Sequence, residues 1–435
     1  MKAVLLAFHY PPDSAVGSLR PIKVAHSLRD AGWEVTVITA TLENEKAGVR
    51  AEEAGLNVIA VKPHKNPREW YASFKRLRRG AVHNGETEAQ AGSSYIIPAR
   101  VPLWKRAIFS LMLLPDHHQG FIRPAIRASL PLLRQPGSIL YTTAPPFSVH
   151  LAGWMLWRKT KVPWIAEFRD PWTDNPWKPW HVRTALTDSV ERWMERAVLR
   201  NANLVVAVSE GIERGFANKI VDRENKLVTI RNGIDTLLPA IPERLQDGSP
   251  FRIVHIGSFY NGRDPRAFLS ALATVRERMG ESTRSFRVDL VGNCRWYSGI
   301  SIEKEVETLN LGDVVHFHDW VSHDRAQQFI RSSDLLLLLA QSQPDQIPNK
   351  LYEYLGTRCS ILAVADRGGE TARMINQVGG HYLVTGTDSR EIERALESAI
   401  ERVAQPNGAQ AEEILRDWTT KSQMRRLVRK IEGLG

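Results

Sequence analysis

Twelve short apolar runs punctuate the chain, and their length and spacing constrain it more than any other feature. In order they read AVLLAF, EVTVIT, NVIAV, SILYTT, VPWIAEF and NLVVAVS, then RIVHIGS, FRVDLVG, VVHFH, LLLLLA, SILAVA and HYLV. Runs of four to seven residues suit buried strands, and their near-continuous apolar character suits strands covered on both faces. Amphipathic stretches separate most of them. A helix from about Pro21 carries Val24, Ala25 and Leu28 on neighbouring positions, ERWMERAVLR precedes NLVVAVS, and Phe268, Leu269, Leu272 and Val275 recur at helical spacing after RIVHIGS. Strand, helix, strand units of this kind build parallel sheets.

The pattern runs twice, on either side of the polar, proline-containing NGIDTLLPAIPERLQDGSP. A chain of 435 residues exceeds what one core organises, so two domains are expected. The expected fold class is α/β, with two Rossmann-like, doubly wound parallel-sheet domains facing a cleft. Residues 1–230 form the first, 231–250 a linker and 251–410 the second. The closing amphipathic segment, EEILRDWTTKSQMRRLVRKIEGL, has no strand to feed. Residues 411–435 are therefore expected to form a helix packing back across the domains.

Only two cysteines occur, Cys294 and Cys359, far apart and each beside an apolar run. That argues against a disulfide framework or a structural zinc site and fits a cytoplasmic setting. No stretch has the roughly 18 uninterrupted apolar residues of a membrane span, and the opening MKAVLLAFHYPP reads as a first strand rather than a leader. A formal charge of +10 favours acidic partners: nucleotide or lipid phosphates, an anionic membrane face, or nucleic acid. One segment fits neither sheet. Residues 62–106 hold ten Lys and Arg against three Glu, interleaved with Trp70, Tyr71, Phe74 and Trp104. It reads either as a solvated insertion or as a patch for anionic lipid at the inner face of the plasma membrane.

Doubly wound sheets bind ligands beyond the carboxyl ends of their strands. After LLLLLA comes QSQPDQIPNKLYEYL, in which Pro348 suits the start of a helix whose N–H groups attract anions. Lys350 and Glu353, three apart, share a helical face. A cation there suits a diphosphate, and an ionised carboxylate suits a pair of sugar hydroxyls. The loop HYPPDSAVGSLRP places Gly17 and Arg20 at a helix start, and GSFYNGRDPRAF places Arg263 similarly. Neither a G-x-G-x-x-G nor a G-x-x-x-x-G-K-[ST] fingerprint is present, which removes the main support for a dinucleotide or P-loop site.

Taken in order, YPPDSAVGSLRPIKVAHSLRDAGWEVTVIT, PDHHQGFIRPAI, FRDPWTDNPW, NANLVVAVSEGI, IRNGID, IVHIGSF, SDLLLLLA and NKLYEYLGTRCSILAVA resemble the nucleotide-sugar-dependent glycosyltransferases of the GT-B fold, in the large retaining group called family 4. The resemblance implies transfer of a hexosyl or N-acetylhexosaminyl group from a UDP- or GDP-sugar, with retention of configuration and no metal or other cofactor. The implied acceptor is a lipid-linked or cell-surface glycan, as in polysaccharide or lipopolysaccharide biosynthesis. Two acids separated by seven residues fall on Asp345 and Glu353, implying Glu353 at the donor ribose and Asp345 at the transferred sugar or leaving group. Donor contacts fall also on Gly17, Arg263, Asn349 and Lys350. Arg169 and Asp170 stand where the family often has a histidine, with Asp170 orienting the acceptor hydroxyl and Arg20 and Trp172 on the acceptor side. Closure about Asn232 and Gly233 would then exclude water. Other readings are a GT-B epimerase, a phosphorylase-like enzyme, for which no pyridoxal-lysine segment is evident, and a basic nucleic-acid-binding protein, for which no reading motif is present.

Overall fold

A computed structural model of the chain describes residues 1–13, 15–41, 48–49, 55–65, 114–175, 184–220, 226–238, 249–260, 262–280, 285–401 and 409–434. The aromatic and most of the basic residues of the 62–106 segment lie outside the described residues. The chain forms two compact units, the first of Met1–Val208, Ile212–Ile230 and Met424–Gly435, the second of Ser209–Gly211 and Arg231–Gln423.

The first unit holds strands β1 (Lys2–Ala7), β2 (Glu34–Ala40), β3 (Gly48–Val49), β4 (Asn57–Val61), β5 (Ser138–Ala144), β6 (Trp164–Phe168), β7 (Leu204–Ala207) and β8 (Leu227–Thr229). They form one sheet in the order β3-β4-β2-β1-β5-β6-β7-β8. Every pairing is parallel except that of the edge strand β3 with β4. The chain leaves β1 toward β2 and β4, then returns to β1's other side as β5, so the order reverses between β1 and β5.

The second unit holds β9 (Phe251–Ile256), β10 (Phe286–Val291), β11 (Trp296–Tyr297), β12 (Ile300–Ser301), β13 (Val315–His318), β14 (Leu335–Ala340), β15 (Ser360–Ala365) and β16 (Tyr382–Thr385). Six form an all-parallel sheet in the order β13-β10-β9-β14-β15-β16, and β11 and β12 make a small antiparallel pair. Here the order reverses between β9 and β14. Both sheets match the doubly wound expectation. Strands β3, β8, β11 and β12 add to the twelve anticipated, and at two to three residues they are too short to leave a periodic signal.

Double-sided burial explains the apolar runs. Along β1, Val4 and Leu6 enter one core cluster while Ala3, Leu5 and Ala7 enter the other. Along β14, Leu335, Leu337 and Leu339 pack on one side and Leu336 and Leu338 on the other. Side chains alternate faces at period two, so a strand covered twice needs apolar residues at every position. Each such leucine contributes about 1.5–3 kcal/mol relative to exposure.

The linker and C-terminal expectations change in detail. Residues 231–238 belong to the second unit: Ile234 N donates to Trp418 O at 2.8 Å, Thr420 N to Ile234 O at 2.9 Å, and Arg231 N to the Gln423 side chain at 2.9 Å. Gly233 takes φ +84°, and a Cβ there would stand 2.6 Å from Thr420 Cα, so the NG turn is demanded by this close approach. The helix Ala409–Asp417 also belongs to the second unit, whereas Met424–Gly435 belongs to the first. In the first unit Met424, Leu427, Val428 and Ile431 cover the face that carries Ala3, Leu5 and Val206.

Within the first unit, Arg20 is 4% exposed and pairs at 2.8 Å with the fully buried Glu167 of β6. Arg20 also donates to Ile230 O at 3.0 Å, and Thr143 donates to the other Glu167 oxygen at 2.8 Å. Breaking one side of such a pair strands a buried charge. Arg20→Met should therefore lower the unfolding free energy of the first unit by about 3–5 kcal/mol in a urea titration; an unchanged midpoint would show that Glu167 does not depend on Arg20.

Candidate active site

In each unit the loops that follow the strands on either side of the order reversal are joined by an arginine. Such reversals open a crevice beyond the strand ends where ligands bind.

In the second unit the loop after β9 carries Gly257 to Pro265 and the loop after β14 carries Gln341 to Pro348. Gly262, at φ +84°, presses on the second loop, and a Cβ there would lie 2.7 Å from Ser342 Cβ. Arg263 donates through Nη2 to Gln343 Oε1 at 3.4 Å, and its guanidinium carbon sits 4.5 Å from the Tyr260 ring centroid. Gln341 Nε2 donates to Asp264 O at 3.2 Å. Asp366, after β15, fixes the β14 loop from the other side, accepting from Ser342 N at 2.9 Å and Gln343 N at 2.6 Å. Glu370 N donates to Pro344 O at 2.7 Å.

Three polar atoms of this cluster are buried without a partner among the described residues: Arg263 Nε, Gln343 Nε2 and Gln341 Oε1. Native structures rarely leave such groups unsatisfied, so each calls for a ligand or water. His255 adds a fourth. Burial foremost lowers its pKa to about 4, with the charges of Arg263 and Lys350 adding and a hydrogen bond to Leu337 O opposing. The ring is thus neutral at pH 7, Nδ1 donates to Leu337 O at 3.0 Å, and buried Nε2 has no partner.

Beyond the same loop runs the helix Asn349–Thr357, with Pro348 one residue before it and no side chain capping its N-terminus. Asn349 opens the helix, and Asp345 stands half-buried in the loop leading to it. Lys350 Nζ lies 2.8 Å from Glu353 Oε2, with side chains 31% and 16% exposed. Gln327 Nε2 approaches the same oxygen at 3.4 Å. The spacing therefore does place Lys350 and Glu353 on one face, where they meet each other as an ion pair.

In the first unit the bridging arginine is Arg169, directly after β6. Its Nη1 donates to Gly17 O in the β1 loop and its Nη2 to Pro145 O in the β5 loop. A Cβ on Gly17 would lie 3.3 Å from both Arg169 Nη1 and His9 Cδ2. The glycine thus makes room for Arg169 and His9 rather than standing open to a phosphate. Burial lowers the Arg169 pKa, while Glu167 and Asp170 oppose that. The loop's far side is held by Thr173, which donates through N and Oγ1 to Glu195 at 3.1 and 2.8 Å. Asp170 rides between these anchors, partly exposed.

Two acceptor-side expectations change. Trp172 is fully buried and stacks on Phe147 at 4.8 Å and 5°, and Arg20 is committed to Glu167. Arg20, in the first turn of the helix Leu19–Asp30, and Trp172, in the loop after β6, both face the interior. Residues that the motif spacing did not indicate are also present. His9 Nδ1 and Asp13 Oδ2 meet at 2.6 Å beside Gly17, and His255, Gln343 and Asp366 support the second unit's loops. A histidine inside the apolar RIVHIGS was the one visible signal among them. Among the described residues no group of three or more His, Cys, Asp or Glu could hold a metal ion, and no helix is long and apolar enough to cross a membrane.

Two Rossmann-like units with these loops define the GT-B class. Family models match in the same two blocks: the Glycosyl transferase 4-like domain over residues 23–233 and Glycosyl transferases group 1 over residues 250–402. The chain belongs to the GT-B glycosyltransferases. It is similar to sucrose-phosphate synthase from Thermosynechococcus elongatus, at 15% identity and TM-score 0.65, covering 100% of this chain and 98% of that one. It is similar also to Anabaena Alr3699/HepE in complex with UDP, at 14% and 0.63 over 100% of both chains. A third likeness is to the E. coli structure described as trehalose-6-phosphate bound with UDP-2-fluoro glucose, at 12% and 0.65, covering 99% and 98%. At these identities the likeness is one of fold. No curated protein sequence matches the chain.

Because Asp366 alone supplies both acceptors for the Ser342 and Gln343 amides, Asp366→Ala should cost about 1.5–3 kcal/mol of stability, the range for hydrogen bonds to a charged group. Urea unfolding would measure it, and a wild-type midpoint would mean that the loop is held by other contacts.

Proposed function

We propose that this glycosyltransferase moves a hexosyl or N-acetylhexosaminyl group from a UDP-sugar to a lipid-linked or cell-surface glycan, with retention of configuration. The observation that carries the proposal is the gathering of Arg263, Lys350 and the uncapped helix start at Asn349 around buried, unsatisfied polar atoms at the second unit's switch point. Breaking a sugar–phosphate bond develops negative charge on the leaving diphosphate, and preorganised cations and helix N–H groups stabilise it. Arg263, now sharing Gln343, would take the diphosphate. Lys350 would exchange part of its contact with Glu353 for phosphate oxygen, leaving Glu353 to accept from the ribose hydroxyls. Asn349 and Asp345, next along the same loop and helix start, would face the sugar and its leaving group.

On the acceptor side the reading rests on Asp170, partly exposed in a loop that Arg169 and Thr173 anchor. An aspartate there can orient a hydroxyl for attack on the same face from which the diphosphate leaves. The leaving phosphate oxygen would take that proton, a scheme that calls on no metal and no second catalytic carboxylate. Solved neighbours support the donor class, since two structures similar to this chain are described as complexes with UDP-glucose or a fluorinated UDP-glucose. A further neighbour, at 13% identity and TM-score 0.62, is the lipopolysaccharide outer core galactosyltransferase WaaB, which favours a glycan acceptor.

The test is a thermal-unfolding panel of UDP, GDP, their sugars and single-stranded DNA. A specific ligand at a hundred times its Kd stabilises by about 2.7 kcal/mol, so UDP and one or more UDP-sugars should raise the midpoint. No shift with any nucleotide, together with a shift by DNA, would transfer the case to the nucleic-acid reading. Glu353→Gln and Arg263→Ala should each weaken donor binding about ten- to a hundred-fold, the scale of one lost charge-assisted hydrogen bond, while leaving the protein folded. Wild-type binding in both would remove the site assignment.

A further inference from the structure

The first unit's candidate residues all sit beyond the carboxyl ends of its strands. At the opposite pole, where β7 and β8 begin and the helices Ala185–Asn201 and Thr420–Glu432 end, there is a cleft of about 840 Å³. Trp157, Arg200, Lys226, Arg426, Arg429 and Lys430 are among its walls, and no Asp or Glu is among the described residues that line it.

The apolar pattern of the last helix accounts for part of this. Met424, Leu427, Val428 and Ile431 are buried, which turns Arg426, Arg429 and Lys430 outward at spacings of three and four. Cations so spaced are neighbours and repel. The helix dipole favours basic residues in the last turn, but it does not explain why Arg200 and Lys226, from two other elements, converge on the same concavity. Arg200, Arg426, Arg429 and Lys430 form no ion pair among the described residues. Lys226 is partly committed, donating to Arg200 O at 2.6 Å where that helix ends. Lys161 extends the basic rim, its Nζ 3.9 Å from the Trp157 ring centroid.

Like charges gathered around a concave surface, with no carboxylate among its described walls, create a positive potential that a multiply charged anion relieves. Three of the five are arginines, whose planar forks match phosphate oxygens in pairs. We propose that this cleft binds a phosphate-bearing anion, either the headgroups of an anionic lipid surface or a soluble polyphosphate, at a site separate from the donor and acceptor loops. The site draws on neither Arg263 nor Lys350, and it stands whether or not the donor reading does.

The full chain would be titrated with inorganic tripolyphosphate by calorimetry, and co-sedimented with vesicles of phosphatidylcholine alone or mixed with phosphatidylglycerol. The comparison is with the triple variant Arg426→Gln, Arg429→Gln, Lys430→Gln. A control triple, Lys304→Gln, Arg390→Gln, Arg394→Gln, removes as much charge from exposed positions elsewhere. Because Arg263 and Lys350 also attract phosphate, the readout is the part of the binding that the first triple loses. At about fivefold for each cation, that loss should be roughly 100-fold, with the control near wild type. Loss confined to mixed vesicles assigns the site to lipid, and loss of tripolyphosphate binding assigns it to a soluble anion. Equal behaviour of the two triples, or no binding by wild type in either arm, overturns the proposal. Should circular dichroism show the first triple unfolded, Arg200→Gln carries the test from a different helix, with about a fivefold loss expected.

Discussion

A parallel strand that is hydrogen-bonded on both sides must send its chain onward from the same end as its neighbours. The rest of this structure depends on that constraint. In both units the order of strands reverses once, between β1 and β5 in the first and between β9 and β14 in the second. At those two places adjacent strands send their chains to opposite sides, and the loops part. Chemistry-bearing residues of each unit collect around these places, Arg169 reaching in from the loop after β6 and Asp366 from the loop after β15.

The two gaps are filled in different ways by the same kind of side chain. Arg169 spans its gap completely, donating to a carbonyl on either side, and beneath it the Arg20–Glu167 pair occupies the sheet interior. The first unit therefore commits these cations to its own carbonyls and to Glu167. Arg263 reaches across its gap to a single glutamine side chain at 3.4 Å, and both arginines keep a buried Nε without a partner among the described residues. Buried groups left over in this way lose their water without recovering a partner; a bound diphosphate would accept from the donors, Arg263 Nε and Gln343 Nε2.

The solved neighbours share the architecture at 12–15% identity. Such tolerance follows from the way the cores are built. Alternating Leu335 to Leu339 need only remain apolar and of suitable volume to fill both sides of a sheet, so fold persists after most residues have changed. Loop residues such as Asp366, Gly262 and Arg263 answer to particular atoms.

Much of the fold was legible in the sequence because burial on both faces leaves a signal at every residue of a strand. The twelve longer strands, the two-unit plan and the adjacency of Lys350 and Glu353 followed from runs and spacings alone. Strands of two or three residues carried no such signal. Tertiary structure alone decided which polar residues remain available to a ligand. Arg20, Trp172 and Gly17 fall in segments that read as binding loops, yet Glu167, Phe147 and Arg169 engage them instead. Asp366 and His255 gained their roles in the same manner, from neighbours across the sheet. Local pattern determines where a strand ends; which side chains are still unsatisfied there depends on desolvation and hydrogen bonding among residues from about twenty to about 150 positions apart, and only the folded chain brings those together.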